Sequence, residues 1–153
     1  MTRVKVEIRT MRRGDESMLL YLAEETLQPL AAGAGHPERY DPGDLLALFG
    51  EASVFVAESG GEIAGYVAVE RAAEALEVRC LCVSPAFEAQ AVAHQLMAWV
   101  EGVAFSLRLG CLRALVPASD ERSQRLYRGH EFVPLPPFEE PETIVLEKRL
   151  RAD

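Results

Sequence analysis

The sequence predicts a mixed α/β fold, a central sheet flanked by helices, and three observations predict it. Short apolar runs alternating with polar residues are interleaved with segments whose apolar residues recur every three or four positions. Turn residues punctuate nearly every junction between them. The chain has 153 residues, 49% hydrophobic and 26% charged, enough to bury one substantial core, so a single domain over 1–153 is expected.

Val4, Val6 and Ile8 alternate with Lys5, Glu7 and Arg9, which reads as a first, half-buried strand. Asp15 can cap a helix through Met18, Leu19, Leu22 and Leu27; Asp41-Pro42 supplies a second cap, with Gly50 closing that helix. Between these helices, Gln28 to Tyr40 is rich in Ala and Gly with two prolines and reads as a long loop of the kind that lines sites.

Ser53 to Glu58 and Glu62 to Glu70 flank Ser59-Gly60-Gly61 and form a hairpin by their β-branched content and turn chemistry. A further strand, Ala75 to Val83, runs into Ser84-Pro85. Val92, Leu96, Trp99, Val100, Val103 and Leu107 then give the chain's clearest apolar helical face, with Trp99 at core spacing. Cys111 to Val116 is a short strand. Ser119 or Asp120 can cap a helix through Tyr127 that Gly129 ends. Glu131 to Leu135 and Thr143 to Leu150 close the domain around a proline-rich loop. The count is seven strands and four helices, and a mixed sheet covered by helices is the economical way to bury their apolar faces.

A net charge of -8 argues against a general nucleic-acid-binding surface, which needs clustered Lys and Arg. No apolar stretch has the roughly 18 to 20 residues that span a bilayer, and the alternating start does not read as a signal peptide, so a cytoplasmic protein away from membranes is expected. Cys80, Cys82 and Cys111 lie in apolar runs and suit core packing rather than a disulfide framework. His36, His94 and His130 are scattered without metal-ligand spacing, so no metal site is expected.

Val83-Ser84-Pro85-Ala86-Phe87, which ends a strand and opens the strongest helix, resembles the segment leading into the coenzyme A pyrophosphate loop of the GNAT superfamily of N-acetyltransferases. Ala118 to Phe132, with Leu126-Tyr127 and Gly129-His130-Glu131-Phe132, is similar to that family's later helix and its turn into the next strand. The resemblance implies the family's mostly antiparallel sheet and acetyl-CoA as cosubstrate. It also implies transfer of an acyl group to a small-molecule amine or a protein amino group. Homodimers are frequent in the family; a dimer through the terminal strand or the Phe138 loop is the matching expectation, though no residue establishes it. Nothing in the early helices specifies one acceptor amine.

The resemblance places the coenzyme along Glu88, Ala89, Gln90, Ala91, Val92, Ala93 and His94. There, backbone N–H groups and the positive end of a helix dipole can hold a diphosphate. The family pattern has Arg or Gln, Gly, and Gly or Ala at the positions of Glu88, Ala91 and Ala93, so the loop is degenerate and only Ala93 conforms. An alanine forced to positive φ costs about 1 to 2 kcal/mol, and a carboxylate facing diphosphate adds about 1 to 4 kcal/mol of repulsion. Glu88 turned to solvent, or Ala91 at helical angles, removes these costs. The bland alternative for the same residues is an ordinary strand-to-helix connection. His94 is either a phosphate contact or a solvated helix residue.

Acyl transfer also needs a neutral amine, a polarised thioester carbonyl and a proton for the departing thiolate. By the resemblance, backbone groups of Leu81, Cys82 and Val83 bind the pantetheine and the acyl oxygen. Glu77, six residues before Val83, stands where protein-acetylating relatives carry their base; it is otherwise a rim glutamate paired with Arg79 or with a neighbouring strand. Tyr127 stands where the family places its acid, since a phenol keeps its proton at neutral pH; it is otherwise a helix tyrosine bridging core and surface. Asp120 replaces the family's common asparagine, keeping the cap but bringing a negative charge towards an anionic ligand. Glu88, Ala91 and Asp120 together favour the competing reading, a silent GNAT-like binding or regulatory module. A nucleotide-binding α/β domain is disfavoured, because no glycine-rich turn follows the first strand.

Overall fold

A computed structural model of the chain describes residues 5–33, 42–136 and 143–150. The elements are β1 (Glu7–Thr10), α1 (Glu16–Gly33), α2 (Pro42–Glu51), β2 (Ser53–Ser59), β3 (Glu62–Ala72), β4 (Ala75–Val83), α3 (Ala89–Ser106), β5 (Cys111–Pro117), α4 (Glu121–Gly129), β6 (Val133–Pro134) and β7 (Thr143–Arg149). Hydrogen bonding orders the strands β1-β2-β3-β4-β5-β7-β6 in a mostly antiparallel, seven-stranded sheet. The β4–β5 pair is parallel, as a return through a crossover helix requires. No helix among the described residues is long and apolar enough to cross a membrane.

The hairpin forms where its turn chemistry puts it. Gly60 and Gly61 have φ of +61° and +84°, the pair of positive angles that a two-residue turn matched to strand twist demands. β4 has the limits read from the sequence.

Chain contacts define two compact units. The first is built from the chain up to Ala68 together with Cys80–Leu96. In it β1 runs antiparallel to β2, with Glu7 opposite Glu58 and Arg9 opposite Val56. Its core gathers Leu19, Leu22 and Ala23 from α1, Leu45 and Phe49 from α2, Val54 and Val56 from β2, Tyr66 and Ala68 from β3, and Cys82 from β4. Phe49 meets Tyr66 edge-to-face, with ring centroids 5.6 Å apart, an orientation that sets a positive ring edge against a negative face. At its rim Arg9 bonds both Asp15 and Glu58.

The second unit is built from Val69–Arg79 and the chain from Met97 onward. There Ala75–Val78 pair with Cys111–Ala114, and β7 lies antiparallel to β5 along all seven residues of each. Leu76, Val78, Leu112, Ala114, Val116 and Leu146 are buried, at the period-2 spacing of one sheet face.

Several elements differ from the sequence reading. β1 begins at Glu7 rather than near Val4, which lies outside the described residues. α1 continues through residues 28–33, half of the expected loop. Ala31 and Ala32 belong to the best helix-forming type, and their helical preference outweighs the loop-like composition. The rest of that loop, Asp41 and Phe138 lie outside the described residues. α2 extends one residue past Gly50. On α3 the buried face is Val92, Ala93, Leu96, Met97, Val100 and Ala104, turned away from the expected one by about one residue. Trp99 is 40% exposed and is not a core residue, and the smaller Ala93 and Ala104 are buried in the inward stripe instead. β6 shrinks to Val133–Pro134.

Candidate functional site

The turn from β4 into α3 is built by a chain of backbone hydrogen bonds. The Ser84 N–H donates to the Ala64 carbonyl at 2.7 Å, tying the end of β4 to β3. The Phe87 N–H then bonds the Ser84 carbonyl at 3.0 Å, closing a four-residue turn, and the Ala86 N–H reaches Ser84 Oγ at 3.3 Å. Ser84 is buried, so the turn is anchored rather than loosely draped.

The Val92 N–H donates to the Glu88 carbonyl at 3.2 Å, the first bond of α3, which puts Glu88 at the position that caps the helix. The amides of Ala89, Gln90 and Ala91 therefore have no carbonyl one turn earlier in the helix and sit at its positive end. Among the described residues, the non-glycine residues with positive φ are Ala73, Arg108 and Glu131. Ala91 is not one of them, so the strain considered for it does not arise. Glu88, Ala89, Gln90 and His94 are exposed, whereas Val92 and Ala93 turn into the core. An anion at this turn would meet main-chain amides, with the Glu88 carboxylate as its unfavourable neighbour.

Leu81 and Val83 are half-buried and Cys82 is buried. The Cys80 and Cys82 sulfurs lie 3.8 Å apart, and the Tyr66 hydroxyl is 3.8 Å from Cys80 Sγ. The adjacent Cys82 sulfur and burial raise the Cys80 thiol well above its usual range, and burial first, then the two thiols, raise the Tyr66 phenol. These groups stay protonated at neutral pH and act as packing. Cys80, Cys82 and Cys111 are not in disulfide bonds.

The remaining candidates belong to the second unit. Glu77 is half-buried and stands opposite Arg113 in the β4–β5 register. Both nearby arginines are engaged elsewhere: Arg113 Nε bonds Glu147 Oε2 at 2.9 Å and Arg79 bonds Glu70 at 3.1 Å. The Glu77–Arg79 pairing considered from the sequence is thus replaced by Arg79–Glu70. Asp120 is buried and caps α4, its Oδ1 accepting from the Ser123 N–H at 3.0 Å. Tyr127 is 5% exposed, its ring 5.2 Å from that of Phe132.

One residue that positions the turn was not singled out from the sequence. A Cβ on Gly65 would lie 2.6 Å from the Cys82 carbonyl oxygen. The available sign was an isolated glycine inside a strand pattern, which marks close backbone approach.

The family model described as the acetyltransferase (GNAT) family matches residues 16–132. The fold is similar to that of the PaiA N-acetyltransferase from Thermoplasma acidophilum, solved in complex with coenzyme A, with a TM-score of 0.79 and 17% identity over 95% of this chain and 99% of that one. It is also similar to Ard1 from Thermoplasma volcanium, with a TM-score of 0.77 and 16% identity over 96% and 99% of the two chains. The ribosomal-protein-S18-alanine N-acetyltransferase from Escherichia coli gives 0.75 and 13% identity over 97% and 96%. Comparison of the sequence with curated proteins gives no match.

Proposed function

Because the chain belongs to the GNAT acetyltransferase family, we propose that it transfers an acetyl group from acetyl-CoA to a primary amine of a small molecule or of a protein. Acetyl-CoA is the family's cosubstrate. The observation that carries the proposal is the opening of α3, where Ala91 has no positive φ and Glu88 and Gln90 point to solvent. The loop departs from the family's residues, but the opening of α3 leaves the amides of Ala89, Gln90 and Ala91 without helical partners, which supports the reading. The amides of Ala89, Gln90 and Ala91 would hold the pyrophosphate, whereas the Val92 N–H is taken by the Glu88 carbonyl; the backbone of Leu81, Cys82 and Val83 would hold the pantetheine and acyl oxygen.

When bound, the cosubstrate supplies a thioester whose carbonyl the amine attacks, forming the C–N bond as the C–S bond breaks. Glu77 is the proposed base that takes the amine's proton, supported by the engagement of Arg79 and Arg113 with other carboxylates. Tyr127 is the proposed acid that protonates the departing sulfur, supported by the resemblance of its helix to the family's. Asp120 is committed to its helix cap and would act on the coenzyme only through its charge.

The exposed Glu88 carboxylate favours a second reading, a silent module that keeps the fold without the reaction. Calorimetric titration with acetyl-CoA, followed by thiol release in the presence of an amine panel, separates the two. Binding with transfer supports the enzyme; no heat at millimolar acetyl-CoA supports the silent module. Tyr127→Phe should lower kcat by about tenfold or more at unchanged acetyl-CoA affinity, and equal loss of both would remove Tyr127 from its proposed role.

A further inference from the structure

We propose that Gly65 is a positioning residue for acetyl-CoA binding: its missing side chain lets β3 seat both the end of β4 and the first turn of α3, fixing the amides that face the pyrophosphate. This rests on the coenzyme site proposed above. Gly65 is buried in the first half of β3. A Cβ there would lie 2.6 Å from the Cys82 carbonyl oxygen, 3.3 Å from Val83 Cα and 3.3 Å from Val92 Cγ1. The first contact is shorter than Cβ atoms tolerate, and its partner is backbone, which no rotamer change can clear.

The three neighbours are the two residues proposed to hold the pantetheine and the residue that makes the first hydrogen bond of α3. Next to Gly65, the Ala64 carbonyl accepts the Ser84 N–H at 2.7 Å, so the strand end is pinned on one side of the glycine and close-packed on the other. A methyl group at 65 must push either the Cys82–Val83 peptide or the helix opening by several tenths of an ångström. Oriented donors lose their hold on an anion when displaced by that amount. A role in packing alone would instead lower stability and leave affinity in the surviving folded protein unchanged.

The test is acetyl-CoA titration of wild-type protein, Gly65→Ala, Gly65→Ala/Val92→Ala and Gly102→Ala, each at a temperature where circular dichroism shows it folded. Gly65→Ala is expected to bind about tenfold more weakly, with KM rising for acetyl-CoA but not for the amine. The double variant, with room restored on the helix side, should recover about threefold of that loss. Gly102, where an added Cβ meets nothing within 4 Å, should tolerate alanine with unchanged affinity. A folded Gly65→Ala with wild-type affinity overturns the inference, as does a matching loss in Gly102→Ala. Should Gly65→Ala not fold, Val92→Ile presses on the same contact from the helix; about threefold weaker binding supports the inference, and unchanged binding overturns it. Absence of binding by the wild-type protein would instead overturn the proposed coenzyme site itself.

Discussion

Arg9 and Asp15 meet side-on, Nη1 to Oδ2 at 2.8 Å and Nη2 to Oδ1 at 3.2 Å, while the same guanidinium reaches Glu58. Asp15 also accepts the Arg12 N–H, so one carboxylate fastens β1 to the start of α1. The Arg9 hydrogen bonds hold the Asp15 and Glu58 carboxyl groups below their usual range. Depressed folded values mean that this stabilisation is complete above the unfolded carboxylate range, about pH 4, and disappears as pH falls through the lower folded values. Asp15→Asn should cost about 1 to 3 kcal/mol at pH 7 and lose less stability than wild type between neutral and acid pH. Urea unfolding at both pH values measures this, and parallel acid losses in the two proteins would contradict it.

The cap on α4 gives a second prediction. Asp120→Ala removes the acceptor of the Ser123 N–H and should cost about 0.5 to 2 kcal/mol, whereas Asp120→Asn preserves a capping oxygen and should remain within a few tenths of wild type. Equal losses in the two variants would show that charge, not capping, is what the position supplies.

Charge at the mouth of α3 is separable from its geometry. Glu88→Arg should tighten acetyl-CoA binding by about tenfold at low ionic strength, with the gain shrinking as salt is added. Titrations at two salt concentrations decide it. Unchanged affinity at low salt would mean that the Glu88 side chain lies away from the bound diphosphate.

The orientation of α3 makes a test of packing. Leu96 is fully buried and Trp99 is 40% exposed. Leu96→Ala should therefore cost about 2 to 5 kcal/mol and Trp99→Ala less than about 2 kcal/mol, reversing the order that side-chain size alone suggests. Chemical denaturation of the two variants gives the comparison directly.

What the sequence made legible was set by local chemistry. Gly60-Gly61 could be read because a tight hairpin requires those angles, and Asp120 because capping is a one-turn interaction. The limits of β4 followed from its flanking turns. What depended on distant packing was misread: α3 could not be oriented to within one residue while alanines counted as weak core markers. The continuation of α1 was hidden by a composition shared with loops. At the candidate site the same division holds. The turn from β4 into α3 was visible as a motif, but the closeness of Gly65 to Cys82 arises only when strands that are remote in sequence meet.

At the outer margin of the sheet, β6 is two residues long and one of them is Pro134. Proline lacks the N–H that a further strand would bond, and so short a ribbon offers an incoming chain almost no ladder to extend. β7, the last strand, is flanked by β5 on one side and by β6 on the other. This margin is thus a poor template for fibril growth or for a continuous intermolecular sheet, and self-association that draws on it has to work through side-chain fit rather than through backbone zippering.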